Sequence, residues 1–301
     1  MKKINYLLLA VIAVIAFFSC NQKSDSETIL TGTATILVDE TILPVIEDQV
    51  MVFENQYDAK INLVPKSESE IVKLLSEGKN DLAILTRELT AGESVFFENK
   101  KIKARITPIA SDGIAFIAHK ASAVTQIDLK DIVAALQGKS STFGGLVFDN
   151  PNSSTVKYFK DLAKVKELPK NKIFSFKTNN EVIDFVSKNN GMIGVVGINW
   201  ILQPMPDFQK TVANISVLEV KTNNGTFAKP SQEDIATGQY PVIRQIKMLN
   251  YQGTRGLGMG FASFMGGEIG QRIILKSGLV PVRMPGRNLI IRKEVENKKD
   301  N

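Results

Sequence analysis

The sequence predicts an α/β protein, built as one large domain or as two lobes, and three observations predict it. Short apolar runs alternate with amphipathic segments of helical period, which is how strands and the helices that cover them are written along a chain. The stretch 29–291, about 260 residues, has globular composition and is long enough to bury more than one core. No segment recurs with a period of about 20 to 50 residues, which sets solenoids aside.

The elements follow in order. "ATILVD" reads as a strand, and "ILPVIEDQVMVFENQ" as a helix with Ile42, Val45, Ile46, Val50 and Phe53 on one face. "AKINLVP" is the next strand, "SESEIVKLLSEG" a helix ended by Gly78, and "DLAIL" a strand. A middle block holds the strand "GIAFIAHK", the helix "LKDIVAALQG", a helix opening within "FDNPNSSTVKYF", the helix "NEVIDFVSKNN" and the strand "GMIGVVG". The last block reads as a strand, "YPVIRQIKML", and one long helix, "GFASFMGGEIGQRIILKSG", with Phe261, Met265, Ile269 and Ile273 on one face.

The ends carry different information. Lys2 and Lys3 precede an apolar run at 7–18, about 12 residues against the about 20 that a bilayer span needs. Residues 1–19 therefore read as an export signal. "AFFSC" resembles the lipobox of bacterial lipoproteins, with Phe17 where leucine is usual, and makes Cys20 the expected lipid site. Cys20 is the only cysteine, so an intramolecular disulfide and a cysteine metal cluster are both excluded. Residues 20–28 read as a lipidated polar tether and 293–301 as a flexible tail. The formal charge of +6 falls to about +4 without Lys2 and Lys3, too small a balance to indicate a nucleic-acid binder.

Catalysis makes the strongest demands on residue type. A serine hydrolase needs a base beside its nucleophile; the only histidine, His119, lies in an apolar strand pattern, and no G-x-S-x-G elbow is present. Metal ligation is left with oxygen ligands, and no spaced Asp-x-Asp loop appears. "GTRGLGMGF" fails the dinucleotide spacing because Phe261 takes the third glycine position. What remains is a small polar ligand or anion at helix starts, where unpaired N–H groups and nearby hydroxyls gather. Thr41, Ser67 with Ser69, and 153–155 mark three such starts, each equally readable as a plain cap, and Ser67 with Glu70 spells a capping box. Thr86 and Arg87 follow a strand, where ligands collect in α/β sheets.

The order of these elements over 36–281 resembles the phosphate-binding proteins of bacterial ABC importers, within the type II periplasmic solute-binding proteins. The most specific pieces are "KPSQEDIATGQYPVIRQI" and "FASFMGGEIGQRIILKSGLVPV", with "SDGIAFIAHK", "LKDIVAALQGK" and "NNEVIDFVSKNNGMIGVVG" matching in order. The resemblance implies a two-lobe type II periplasmic binding protein fold with a two-strand hinge near 113–119 and 240–248. Lobe I would be 29–120 plus 236–292, and lobe II 121–235. It places the first-loop threonine on Thr41 and the following aromatic on Ile42, the second loop on Ser67 and Ser69, and the acidic position on Thr86. Its Ser-Gly-Thr loop falls on Ser153, Ser154 and Thr155. The arginine expected before that loop is replaced by Asp149, and Asp39, Glu40, Glu68 and Glu70 add negative charge, with Arg87 as a compensating cation and Asp149 as a proton acceptor. The implied function is capture of phosphate or a related small oxyanion, without catalysis, cofactor or metal. The implied setting is a monomer anchored by lipid in the cell envelope, on the periplasmic side of the inner membrane or on the outer membrane, beside an ABC permease. Two alternatives stay open: the same fold binding a different polar solute or serving a sensory role, and a hydrolase with an unrecognised site.

Replacing Cys20 with Ser is expected to move the protein from the membrane to the soluble fraction. An intact mass showing an unacylated mature N-terminus in the wild type would end the lipoprotein reading.

Overall fold

The computed structural model describes residues 28–139 and 142–284; the expected signal peptide, Cys20, most of the expected tether and the expected tail lie outside the described residues. In the first part, β1 (Gly32–Asp39) leads through a 3-10 turn (Glu40–Ile42) to α1 (Leu43–Gln56). Then come β2 (Ala59–Lys66), α2 (Glu68–Ser76), β3 (Leu82–Leu85), α3 (Ala91–Asn99) and the long β4 (Arg105–His119). The middle part holds β5 (Gln126–Ile127), α4 (Leu129–Leu136), β6 (Gly145–Phe148), α5 (Ser154–Ala163), β7 (Ile173–Ser175), α6 (Asn179–Lys188) and β8 (Met192–Gly197). It continues through α7 (Asn199–Leu202), α8 (Gln209–Val212), β9 (Ile215–Val217), β10 (Glu219–Lys221), β11 (Phe227–Ala228) and α9 (Gln232–Ala236). The described residues end with β12 (Ile243–Asn250), α10 (Leu257–Gly266), α11 (Glu268–Lys276) and β13 (Val280–Pro281).

Strand order along the main sheet is β2-β1-β3-β12-β4-β8-β6-β7. β1 runs parallel to β2 and β3, and β6 runs parallel to β7 and β8. β4 belongs to both halves: its first part pairs with β12 up to Gly113, and from Ile114 onward it pairs with β8. The chain crosses between lobes a second time just before β12, where the buried Tyr240 donates its hydroxyl to the Ile114 carbonyl at 2.6 Å. This is a two-lobe α/β fold with a two-strand connection.

Strand alternation explains why each half is buried on both faces. On one face of the first half, Ile36, Val38, Ile84 and Met248 meet Ile46, Phe53, Phe261 and Met265. On the other, Leu37, Ala83, Leu85 and Leu249 meet Ile71, Leu75 and Phe97. The second half repeats the plan, with Ile114, Phe116, Leu146, Phe148 and Phe159 on one side and Ile117, Val147, Val182, Ile183 and Val186 on the other. Helix starts are written locally: capping boxes open α2 (Ser67, Glu70), α3 (Thr90, Glu93) and α6 (Thr178, Glu181), and Ser153 caps α5. Gly78 follows α2 at φ +66, under the Phe96 ring, so the expected stop is a true one.

Two sequence expectations need correction. The long helix over 260–278 is two helices, broken where Gly267 takes extended backbone. Two adjacent glycines favour a break, and Gln271 fastens it by donating to the carbonyls of Met265 and Ile109. The last-block strand starts at Ile243 rather than Tyr240, because Pro241 has no N–H for the ladder. "GTRGLGMGF" proves to be a packing motif: a Cβ on Gly260 would stand 1.5 Å from the Ile29 carbonyl oxygen, and one on Gly258 2.6 Å from Leu82.

Gly260→Ala is expected to cost about 1–3 kcal/mol, as overpacking does, and to lower Tm by about 2–4 °C per kcal/mol. Gly266→Ala, whose new methyl meets only Thr107 at 3.7 Å, should leave Tm near the wild-type value. Thermal unfolding of the two variants side by side checks this, and equal melting points would refute the close approach.

Candidate functional site

Parallel strands within each lobe put their carboxyl ends on one edge, and there the polar residues collect. Lobe I contributes Asp39 at the end of β1 and Thr41 after it, Ser67 and Glu68 after β2, and Thr86 and Arg87 after β3. Lobe II contributes Asp149 and the start of α5 after β6, Asn179 at the start of α6, and Asn199 after β8. Asp112 on β4 and Arg244 on β12 are register partners at the connection itself.

Arg244 is the centre of the network. It is buried, its Nε donates to Asp112 Oδ2 at 2.8 Å, and its Nη1 donates to Ser154 Oγ at 2.9 Å and Thr155 Oγ1 at 3.3 Å. Nη2 also stands 2.8 Å from Asp112 Oδ2, within ion-pair range but not aligned as a hydrogen bond. Ser154 Oγ is in turn 3.1 Å from Thr41 Oγ1, so one hydroxyl pair bridges the lobes. The bridge is held by Trp200, whose indole N–H donates to the Thr41 carbonyl at 2.7 Å, and by the Thr41 N–H, which donates to Asp39 Oδ1 at 3.0 Å. A further contact joins the Ser69 N–H to the Asn152 carbonyl at 3.3 Å. Because α5 begins at Ser154, the N–H groups of Ser154 and Thr155 have no acceptor within the helix, and the helix dipole turns its positive end toward the cleft.

The structure brings Thr41, Ser154 and Thr155 together and keeps Ser153 and Asp149 beside them. Ser153 donates to Asp149 Oδ1 at 2.6 Å while its oxygen caps the Val156 N–H, so its hydroxyl is already committed. The other predicted residues stand apart from that cluster. Ile42 packs into the lobe I core, Ser67 donates its hydroxyl to Glu70 at 2.9 Å, the Ser69 side chain is exposed, and Thr86 is half-buried. Arg87 donates through Nε to Glu68 at 2.8 Å and through both terminal nitrogens to Glu93 at 2.7 and 3.0 Å, so it reaches the cleft only through Glu68. Against the upward pull of burial, the bonds from Arg87 and from the Thr90 N–H hold Glu93 down at about 2. Sequence reading passed over Arg244, Asp112, Asn179 and Asn199 as site residues. A visible signal existed for the pair: "VIRQI" and "SDGIAF" each set one charge next to apolar residues within a strand.

A family model described as a PBP superfamily domain matches residues 23–268. The chain belongs to the PBP superfamily. No curated protein matches the chain at a significant level. Solved structures resemble this PBP chain over most of its length. A Clostridium perfringens protein solved with bound phosphate is 21% identical, with 84% of this chain and 100% of that one covered and a TM-score of 0.67. An ABC-type phosphate transport receptor from Vibrio cholerae is 17% identical, with 83% and 100% covered and a TM-score of 0.63. The regulatory domain of Synechocystis CcmR, solved with 2-PG, is 13% identical, with 78% and 96% covered and a TM-score of 0.54. At these identities the likeness is one of fold. It agrees with the two lobes and the strand connection seen here.

This PBP cleft is rich in carboxylates. Burial pushes Asp149 up to about 7, eased by the Ser153 hydroxyl and raised further by Asp39. Burial also raises Glu68 against the pull of Arg87, and raises Glu40 together with Asp39. Burial works against the charge on Arg244, and Asp112 and Asp39 beside it more than restore it. For Asp149 the stability consequence has a definite sign. The folded state keeps its proton up to about pH 7 while the unfolded chain loses it near the ordinary value of 3.8, so stability falls as pH rises between those values and is level above. Asp149→Asn is expected to flatten that decline in a plot of Tm against pH. Parallel slopes for the two proteins between pH 4 and 7 would rule it out.

Proposed function

We propose that the protein is a lipid-anchored solute-binding protein that captures phosphate or a similar small oxyanion between its lobes for an ABC importer. One observation carries the reading: a buried guanidinium, Arg244, is aimed at the two hydroxyls that open α5, with Thr41 facing them from the other lobe. An anion entering between Thr41 and Ser154 would exchange their mutual hydrogen bond for bonds to itself, and gain the first-turn N–H groups of α5 and the Arg244 donors. Asp112 keeps the guanidinium in place but also offsets its charge, so the neutral donors matter more than in a site with an unpaired arginine. The fold neighbours solved with phosphate, or described as phosphate transport receptors, support the same ligand class.

In this reading the ligand set is Thr41, Ser154, Thr155 and Arg244, with Ser153 and Asp149 behind them; Ser69, Thr86 and Arg87 shape the rim, while Ile42 belongs to the core and Ser67 to its helix cap. Lobe I is 29–120 with 236–292 and lobe II is 121–235, so closure turns about β4 and the approach to β12. The role is capture without chemistry, by a monomer held by Cys20 at the cell envelope. Among the described residues no helix is long and apolar enough to cross a membrane, so anchorage in this reading rests on the lipid. The second reading, a different polar solute or a sensory role, draws on Asp39, a fully buried carboxylate in the same cleft.

Isothermal calorimetry with phosphate and sulfate tests the proposal. Arg244→Met is expected to weaken phosphate binding by about tenfold or more, and by more than Ser154→Ala. A hydrogen bond from a charged donor is worth about 1.5–3 kcal/mol net against about 0.5–1.5 for a neutral one, and about 1.4 kcal/mol is tenfold. Because Arg244→Met strands the Asp112 charge, the double variant with Asp112→Asn serves as the folding control. Wild-type protein that binds neither anion at millimolar concentration would defeat the oxyanion reading and leave the solute-binding fold.

A further inference from the structure

The cleft holds more hydrogen-bond acceptors than an oxyanion can use. Two of its carboxylates are ion-paired, Asp112 with Arg244 and Glu68 with Arg87. Asp39 lies in the field of Arg244 but has no ion-pair contact among the described residues. It is fully buried at the end of β1, its Oδ1 takes the Thr41 N–H, and its Oδ2 has no partner among the described residues. Two buried amides add to the excess, since Asn179 gives its N–H to Asp149 at 3.1 Å and Asn199 gives its own to the Thr41 carbonyl at 3.5 Å, and both side-chain oxygens stand without a donor. Asp112 Oδ1 and, next to Asp39, Glu40 Oε1 also lack a donor, and against these five acceptors there is, among the described residues here, one side-chain donor without an aligned acceptor, Arg244 Nη2.

Two of these atoms, Asn199 Oδ1 and Arg244 Nη2, come to one place. The point where a Cβ on Gly197 would stand is 2.5 Å from Asn199 Oδ1, 3.1 Å from Arg244 Nη2 and 3.4 Å from Asp112 Oδ2. The missing side chain therefore lets a free acceptor and a free donor face the same place. A simple oxyanion, which accepts and does not donate, would satisfy Arg244 and the hydroxyls. It would leave Asp39 and both amide oxygens unmet, and would bring like charge toward Asp39. A metal ion is a poor answer as well, because no group of three or more His, Cys, Asp or Glu among the described residues is placed to hold one. A protonated amine answers the chemistry: three N–H donors and one positive charge, beside a buried carboxylate and amide oxygens.

We infer that the ligand is a small zwitterion, with its oxyanion on Arg244, Ser154, Thr155 and Thr41, and a protonated amine on Asp39 and Asn199. An aminoalkyl phosphate is the class that fits both halves. The inference rests on the oxyanion reading for its anionic half only; the amine half rests on Asp39, Asn179 and Asn199.

The test is calorimetry of the full chain with inorganic phosphate, ethyl phosphate and 2-aminoethyl phosphate, the last two differing in the amine. The aminoethyl ester should bind about tenfold or more tighter than the ethyl ester. Asp39→Asn keeps an acceptor for the Thr41 N–H and should cut that advantage to about threefold or less, since it removes both the carboxylate that takes the amine and the like charge that the ethyl ester meets. Should Asp39→Asn fail to fold, Asn199→Ser carries the same comparison. If the two esters bind alike, or the advantage survives both substitutions, the amine half is wrong while phosphate binding stands. If all three ligands fail to bind, the oxyanion reading fails and this inference with it.

Discussion

The ion pair between Arg244 and Asp112 is the contact on which the cleft depends. The two residues face each other in register on β12 and β4, at the place where the sheet passes from one lobe to the other. Both are almost wholly buried, so neither charge has water to return to. Taking one partner away from such a pair typically costs about 3–5 kcal/mol, because the other is left uncompensated. The pair therefore fixes how the guanidinium is presented. Its free edge turns toward Ser154 and Thr155, which ties the first turn of a lobe II helix to the crossover strands.

Hydroxyls at the helix starts divide into those that build the helix and those left for the cleft. Ser67 gives its O–H to Glu70, and Ser153 both caps Val156 and donates to Asp149. Each is spent on local structure, because orphan N–H groups and nearby carboxylates are the closest partners available. Ser154 and Thr155, one and two positions further on, are turned to Arg244 and Thr41 instead. The helix needs one cap, and the residues after it are free to face the other lobe.

Charge in the cleft is arranged in layers. Glu68 draws Arg87 inward and Glu93 holds it from outside, which consumes the guanidinium that lies nearest the surface. Asp149 is kept by neutral donors, Ser153 and Asn179, and burial holds it near neutrality, so it adds little negative charge below about pH 7. Asp39 has a free oxygen and no ion-pair contact among the described residues, and it is felt by Glu40, Glu68, Asp112, Asp149 and Arg244 alike. A ligand in this space must reckon first with that residue.

The sequence by itself determined the fold and the local devices. Runs such as "LAIL" and "MIGVVG", helix faces such as Ile42 to Phe53, and the capping boxes at Ser67, Thr90 and Thr178 report burial and hydrogen bonding within a few residues, and period and propensity are legible at that range. It also placed Thr41, Ser153, Ser154 and Thr155 at helix starts. Tertiary structure alone decided which of those groups meet and which cation serves them. Arg87 looked available because its partners Glu68 and Glu93 lie 19 and 6 residues away, and a strand-end arginine carries no mark of being paired. Arg244 looked like one charge in a strand, because its contacts to Asp112 and Ser154 span 132 and 90 residues. Side-chain pairing across such separations is set by how the sheet closes and the lobes meet, and no local pattern records it.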